Sequence, residues 1–440
     1  MSTRRYPAVV VSSLIVLAVV SLTIVAVLFA FTAPPAMQGG MIRATSVLLI
    51  LFMVVLVVRY LSLLWLGYLH HLKDSRAHDE DDGSFTPPVS IIVPAYNEGP
   101  NIASSIRSLL GQEYPRFEVL VVDDGSTDDT FARASEFTGR NGGISVRVVS
   151  KGNSGKAGAL NAGLRLARYP FVLCMDGDSR LSRDTLRRAI RHFRDPDVAA
   201  VAGNVKVVNR GSFWSKLQAL EYIEGLNMAR RAQGFMRAVN IIPGPIGVFR
   251  RDAVLRLGGY DTDTFAEDAD LTLKILAQGW RVEYEDRAIA YTEAPEDLGS
   301  LIKQRYRWTR GILQALLKRR SVLTSPQSFS TWLSVVMMLF ESILWPIMNV
   351  VGSLFFVTVA VAFGASAYLI GWWALLTVLD IAAALHTVAM EEEDLSLVPL
   401  AVVYRFFFIL LIDVTKLFAT AEEFMDVEMT WGKLERLGRI

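Results

Sequence analysis

Cysteine is nearly absent from this 440-residue chain: Cys174 is the single one, so no intramolecular disulfide can form. Its place in an apolar, strand-like run makes it a small core residue. Histidine is scarce too. The five (His70, His71, His78, His192 and His386) show no metal-ligand spacing beyond the adjacent pair, which argues against a structural zinc site. A net charge of one sign is also missing, since 45 Lys and Arg balance 44 Asp and Glu to +1. That leaves no strong field to attract a phosphate backbone, and no nucleic-acid partner is expected. Internal repeats and low-complexity tracts are lacking as well. What the chain has in excess is apolar residues, 52% of the total, with a mean hydropathy of +0.34. That is too apolar for an ordinary soluble protein, and the length predicts two or three domains.

The apolar residues collect at the two ends. Runs at 7–32 and 42–69 each exceed the ~20 residues needed to cross the hydrocarbon of a bilayer. The first is too long for the core of a cleavable signal peptide, and the second follows almost at once, so it reads as an anchor. Arg4 and Arg5 ahead of it place the amino terminus in the cytoplasm, and a Pro/Gly turn at 34–40 returns the chain there near His70. Beyond Leu323, apolar runs recur near 336–362, 368–390 and 398–419, interrupted by Glu391-Glu-Glu-Asp394. Pro346 is expected to kink the first of these, so an interfacial helix plus a span is the rival arrangement. Three spans would put the carboxyl terminus outside, whereas the basic tail at 433–439 argues for inside; the parity stays open. The expected division is two transmembrane helices in 1–71, a cytoplasmic domain in 72–325, and further transmembrane helices with a basic tail in 326–440.

The middle segment has a different character. The acidic stretch Asp79-Glu-Asp-Asp82 followed by Pro87-Pro88 reads as a solvated linker. Strands are expected at 89–94, 118–122, 145–149 and 171–175, and helices at 100–112, 128–138, 156–167 and 181–194. This alternation predicts an α/β domain with a parallel sheet covered on both faces, inserted between the transmembrane helices. On such sheets ligands sit beyond the carboxyl ends of the strands.

Those ends carry acids. The run Phe171-Val-Leu-Cys-Met-Asp-Gly-Asp-Ser179 puts Asp176 and Asp178 where a buried strand stops, a costly place for carboxylates unless a cation meets them. Tyr96 and Glu98 close the first strand, and Asp123 and Asp124 the second, where carboxylates can accept from uracil N3–H or ribose hydroxyls. A turn plus a helix cap accounts for Ser126 and Asp128. Gly152-Asn-Ser-Gly-Lys-Ala-Gly-Ala-Leu-Asn161 fails the phosphate-loop spacing, which excludes a nucleotide triphosphatase of that type. Lys156 either reaches a diphosphate from its helix start or is simply exposed there.

Pro94-Ala-Tyr-Asn-Glu98, Asp123-Asp-Gly-Ser126, Gly155-Lys-Ala-Gly-Ala-Leu-Asn161 and Asp176-Gly-Asp178, in this order, resemble the GT-A (Rossmann-like) domain of inverting nucleotide-sugar glycosyltransferases. Phe265-Ala-Glu-Asp268 is similar to the Thr-Glu-Asp segment that carries the family's catalytic base. Gln304-Arg-Tyr-Arg-Trp308 resembles the Gln-x-x-Arg-Trp signature of processive membrane synthases of cellulose, chitin, hyaluronan and poly-N-acetylglucosamine. The similarity covers about residues 88–320. It departs at Ala266, where Thr is usual and a hydroxyl beside the base is lost. The resemblance implies Asp268 as base and Mg²⁺ or Mn²⁺ on Asp176 and Asp178. It implies donor contacts from Tyr96, Glu98, Asp123, Asp124, Lys156, Asp176, Gln304 and Arg307, and acceptor contacts from Trp308 and Glu267. Glu267 and Asp270 also read as structural acids.

The expected activity is polymerisation of a sugar, N-acetylglucosamine first among the choices, from a UDP-sugar with inversion, the growing polysaccharide leaving through the chain's own spans. The plasma membrane and its lipids, and a small membrane partner subunit, belong to the same implication. Transfer of a single sugar to a lipid-linked acceptor, a polymer of another sugar, and a sugar-nucleotide sensor without activity are the alternatives. Lys303, Arg305, Arg307 and Arg310 suggest an amphipathic helix lying on the membrane. The loop from Pro243 to Arg251 is expected to wall the acceptor side, with Arg250 and Arg251 facing solvent.

Overall fold

The second apolar run does fold as a helix, but one that outlasts its apolar residues. In the computed structural model, which describes residues 40–79, 83–141, 143–363 and 366–428, helix α1 (Gly40–Asp79) continues unbroken through His70 and Asp74. Both side chains are buried, and Asp74 pairs with Arg191 of the sheet domain. The expected first span at 7–32, the basic tail at 433–439 and positions 80–82 of the acidic linker lie outside the described residues.

The alternating segment follows as β1 (Val89–Ala95), α2 (Gly99–Leu110), β2 (Phe117–Asp123), β3 (Gly139–Asn141), β4 (Ile144–Ser150), α3 (Gly155–Leu166), β5 (Phe171–Cys174) and β6 (Ser179–Leu181). It continues through β7 (Val198–Val207), α4 (Phe213–Glu221), α5 (Met228–Phe235), β8 (Gly247–Arg250), α6 (Glu267–Ala277) and β9 (Arg281–Thr292). All seven residues of β1, and all seven of β2, are buried. The two-residue period of a strand explains why. Val89, Ile91 and Val93 join the core on one face of the sheet and Ile92 the core on the other, so apolar residues dominate both faces, while the buried Ser90 donates to Glu118 at 2.7 Å.

The nine strands form one sheet in the order β3-β4-β2-β1-β5-β8-β7-β9-β6. Its β4-β2-β1-β5 part is parallel, but β3, β6 and β8 pair antiparallel with their neighbours, so the sheet is mixed and not the purely parallel one expected. Two helices are shorter than their sequence pattern. The one expected at 181–194 starts only at Thr185, because Ser179–Leu181 is drawn into pairing with β9, and the one at 128–138 is confined to Thr130–Ser135. Arg250 and Arg251 are not simply solvated. Arg250 donates to the carbonyls of Val198, Phe193 and Asp195 and lies 5.3 Å from the Phe171 ring centroid, while Arg251 donates to the Leu164 carbonyl.

The longer helices that follow are α7 (Leu298–Lys318), α8 (Phe329–Leu339), α9 (Trp345–Phe363), α10 (Ser366–Met390) and α11 (Leu410–Phe424). Among the described residues, three stretches are long and apolar enough to cross a membrane: Val54–Arg76, Phe329–Phe355 and Leu395–Phe424. Pro346 does not end its helix. A π-helical turn, Phe340–Leu344, immediately precedes it and absorbs the carbonyl that proline cannot serve. The acidic interruption after α10 is latched to the sheet domain. Glu391 accepts from Arg231 and Asn204, and Glu393 pairs with Arg210 at 2.6 Å. Helix α7 is not a free surface helix either: Arg305 and Arg310 are buried and pair with Glu221 and Glu423.

Candidate active site

Strand β1 is followed by β2 on one side in the sheet and flanked by β5 on the other, so the chain changes direction between β1 and β5. The crevice beyond their carboxyl ends is where ligands of such sheets bind. The register puts Ile92 beside Cys174, which brings the Asp176-Gly-Asp178 turn next to the end of β1. Gly177 fits closely there: a Cβ would meet the Pro94 carbonyl and the Glu98 side chain, each at 3.1 Å. Its carbonyl accepts from Ser105 Oγ at 2.8 Å. Glu98 and the aspartate pair are thus neighbours, and Tyr96, two residues before Glu98, is exposed.

The tip of β2 is tied to the start of α3. Asp123 accepts from Ser150 Oγ at 2.9 Å and Asp124 from Lys151 Nζ at 2.6 Å and from the Ser154 amide at 3.1 Å. Gly125 turns there at φ +75°, where a Cβ would lie 3.0 Å from the Asn153 nitrogen. Asp128 accepts from the Thr130 amide at the start of the short helix that follows and also from the Gly99 amide at the start of α2, both at 3.0 Å, while Ser126 accepts from the Asn97 amide in the turn after β1.

This anchorage fixes Lys156 in the first turn of α3. Its Nζ lies 2.7 Å from Asp176 Oδ1 and 2.9 Å from Glu267 Oε1. Lys156, Asp176, Glu267 and Asp268 line one small cavity, about 10 Å³, with Cys174, Gly244 and Tyr260 among its other walls. That is space for about one water molecule. In the loop that begins at Pro243, a Cβ on Gly244 would meet both Asp176 Oδ2 and Lys156 Nζ at 2.7 Å, so the loop lies against the ion pair. Asp178 is buried beside Ser179 and is not among the residues lining the cavity.

Electrostatics distinguish the two acids of α6. Burial and then the charge of Glu267 push the Asp268 carboxyl up to about 6, against the pull of Lys156. Asp268 Oδ1 accepts from the Ala269 amide at 2.8 Å. Burial opposes protonation of Lys156, yet Asp176, Glu267 and Asp268 hold its pKa well above the ordinary lysine value. Cys174 is buried and its thiol is pushed up to about 12, consistent with a structural residue. Asp270 is also structural, fully buried and 2.7 Å from Arg319.

Helix α7 roofs this end of α6. A Cβ on Gly311 would lie 2.6 Å from both the nitrogen and the Cβ of Ala266, so two small residues permit the close crossing. The alanine in place of the usual threonine thus has a packing context. Gln304 is buried and accepts from Arg305 at 3.1 Å; Arg307 and Trp308 are half-buried. The Arg305 guanidinium lies 4.2 Å from the Trp308 ring centroid and covers one face, with Tyr222 at 6.5 Å. Nothing in the sequence spacing pairs Arg305 with Glu221, 84 positions away, and Gly311 carries no motif.

The carboxylates of Asp176 and Asp178 are hard oxygen donors flanking a glycine, and their chemistry fits Mg²⁺ or Mn²⁺. A second group, Asp74, His192 and Glu285, brings potential ligand atoms within 4.8 Å of one another. There Arg191 already donates to both carboxylates and takes the place of a cation.

A mixed Rossmann-like sheet with acids gathered at its switch point defines a GT-A-type fold, and beside it stand stretches long and apolar enough to cross a membrane. Residues 87–311 match the family described as "Glycosyltransferase like family 2", and the chain belongs to that family of sugar-transferring enzymes. It is 34% identical over 231 residues to the poly-beta-1,6-N-acetyl-D-glucosamine synthase of Staphylococcus aureus strain COL, and equally so to that of Staphylococcus epidermidis. These matches cover 52% of this chain and 56% of each relative, so the chain spans little more than half the length of the curated relatives it matches. Its fold is similar to that of a mannosyltransferase from Pyrobaculum calidifontis solved with GDP-Man and Mn²⁺. The TM-score is 0.61 and the identity 23%, covering 84% of this chain and 98% of the other.

Proposed function

We propose that the chain is an inverting, processive β-glycosyltransferase that polymerises N-acetylglucosamine from UDP-N-acetylglucosamine and passes the product across the membrane through its own helices, with the sheet domain in the cytoplasm. The observation that carries this reading is the convergence of Lys156, Asp176, Glu267 and Asp268 on one cavity beneath α7. The likeness to the Staphylococcus poly-beta-1,6-N-acetyl-D-glucosamine synthases supports the choice of sugar.

In this reading the acceptor hydroxyl attacks the anomeric carbon, the bond from that carbon to the diphosphate oxygen breaks, and the proton passes to Asp268 Oδ2. Oδ1 is occupied by the Ala269 amide, which aims the other oxygen. A carboxyl pushed up to about 6 is a better base than an ordinary aspartate and is still ionised at neutral pH. A divalent cation bound by Asp176 and Asp178 supplies neutralising charge for the departing diphosphate. Lys156 and Arg307 pair with phosphate oxygens; Tyr96, Glu98, Asp123 and Asp124 hold the nucleoside, with Gln304 beside the diphosphate. Trp308 and Glu267 contact the acceptor sugar, the indole by stacking. With one displacement and no protein nucleophile, an α-linked donor gives a β-linked product.

A second cavity, about 150 Å³, lies where α1, α9 and α10 meet the Tyr222–Asn227 turn, lined by Tyr60, Glu224, Trp345, Tyr404 and Arg405. A polar, aromatic space among apolar helices suits passage of a glycan. A small membrane subunit, if required, would act on this part of the protein. The test is synthesis by the purified chain in lipid nanodiscs from a panel of radiolabelled UDP-sugars with Mg²⁺ or Mn²⁺. High-mass product from UDP-N-acetylglucosamine alone is expected. Addition of one sugar to a lipid would instead establish the non-processive alternative.

A further inference from the structure

We propose that Lys156 is the resident counter-cation of the donor site: its ammonium occupies the Asp176 carboxylate and keeps a divalent cation from binding tightly until a nucleotide diphosphate arrives to draw it away. The inference rests on the assignment of Asp176 as a metal ligand made above.

Three observations carry it. The first is direct contact: Nζ sits 2.7 Å from Asp176 Oδ1, where a cation and an ammonium compete for the same oxygen. The second is crowding. Gly244 lies so close to the pair that a Cβ would touch both partners at 2.7 Å, and the cavity beside it holds about 10 Å³. The pair is only half-buried, so water weakens it without leaving room for a second cation beside the ammonium. The third is a second tether. Glu267 Oε1 is 2.9 Å from the same Nζ, so Lys156 can leave Asp176 without becoming unpaired. The start of α3 is meanwhile held by Asp124 through the Ser154 amide, so the side chain moves and the backbone stays.

The consequence is a coupling between two ligands. Without nucleotide, a divalent cation at Asp176 must displace an ammonium or sit beside it, and like charges at close range repel. A nucleotide diphosphate supplies the negative charge that both cations need, so it and the metal bind with positive cooperativity, each favouring the other by the same factor. Lys156 is thus a positioning residue for the order of binding, in addition to pairing with phosphate.

The experiment is a titration of the full-length chain in lipid nanodiscs with Mn²⁺ alone, free ion being read from its electron paramagnetic resonance signal. Wild type, Lys156→Met, Lys156→Arg and Asp176→Asn are compared, each first checked for a cooperative thermal transition. Lys156→Met is expected to bind Mn²⁺ about ten-fold more tightly than wild type, with Lys156→Arg close to wild type. Unchanged or weaker binding by Lys156→Met, with Asp176→Asn still losing the ion, would overturn the inference while leaving the metal assignment standing. Wild-type affinity in Asp176→Asn would overturn both.

Discussion

Asp268→Asn should remove activity and at the same time stabilise the protein. In the folded chain the Asp268 carboxyl is lifted from 3.8 to about 6 by burial and by Glu267. A lift of that size corresponds to roughly 3 kcal/mol if the group were wholly sealed. Part of the side chain faces the cavity, where water screens it, so about 1–2 kcal/mol is the working figure. The sign follows from proton linkage. Between the unfolded value and about 6 the native state holds a proton that the unfolded chain has released, so stability falls as pH rises through that window. Above it the ionised carboxylate carries its full cost, and asparagine does not. At pH 7.5 the variant's thermal transition should therefore rise by about 2–4 °C per kcal/mol recovered, and the gain should vanish near pH 4. Transfer of labelled sugar should be lost at every pH in the variant and should climb through pH 6 in wild type. A variant that is no more stable at pH 7.5 than wild type, or that retains transfer, would refute the reasoning.

Other perturbations test the frame that holds the site. Gly311→Val should force α7 away from Ala266, costing about 1–3 kcal/mol and lowering kcat, as read by thermal unfolding and initial rates. Glu221→Ala leaves the Arg305 guanidinium buried without its partner and should cost about 3–5 kcal/mol by denaturant titration, where a surface pair would cost little. Asp124→Ala frees the Ser154 amide and Lys151 and should raise the KM for the sugar nucleotide more than it lowers kcat.

The core of the sheet domain was legible because its signals are local. A strand buried on both faces is apolar at most positions, and β1, β2 and β5 fall where the sequence places them to within a residue at either end. The site was legible for a related reason: acids at the ends of such strands stand out against their apolar context, and the fold brings Asp176 and Asp268 to one cavity across more than 90 positions. What the sequence concealed depends on pairing across long separations. The antiparallel insertion of β8 between β5 and β7 follows from strand partners, not from strand propensity. Arg305 and Arg310 look like membrane-facing charges on a helical wheel until Glu221 and Glu423 arrive from other helices. The Pro346 helix persists because a π turn ahead of it accommodates the proline, a backbone solution that residue pattern alone does not encode. The loop from Pro243 to Arg251 reads as a wall in the sequence, but that its Gly244 lies against an ion pair follows only from Lys156 meeting Asp176 in the fold.

The most direct measurement is the anomeric configuration of the first bond made, read by nuclear magnetic resonance on product from an α-linked UDP-N-acetylglucosamine donor. A β linkage from wild type, with no product from Asp268→Asn, is what a single displacement with Asp268 as base requires. An α linkage, or undiminished product from the asparagine variant, would contradict it.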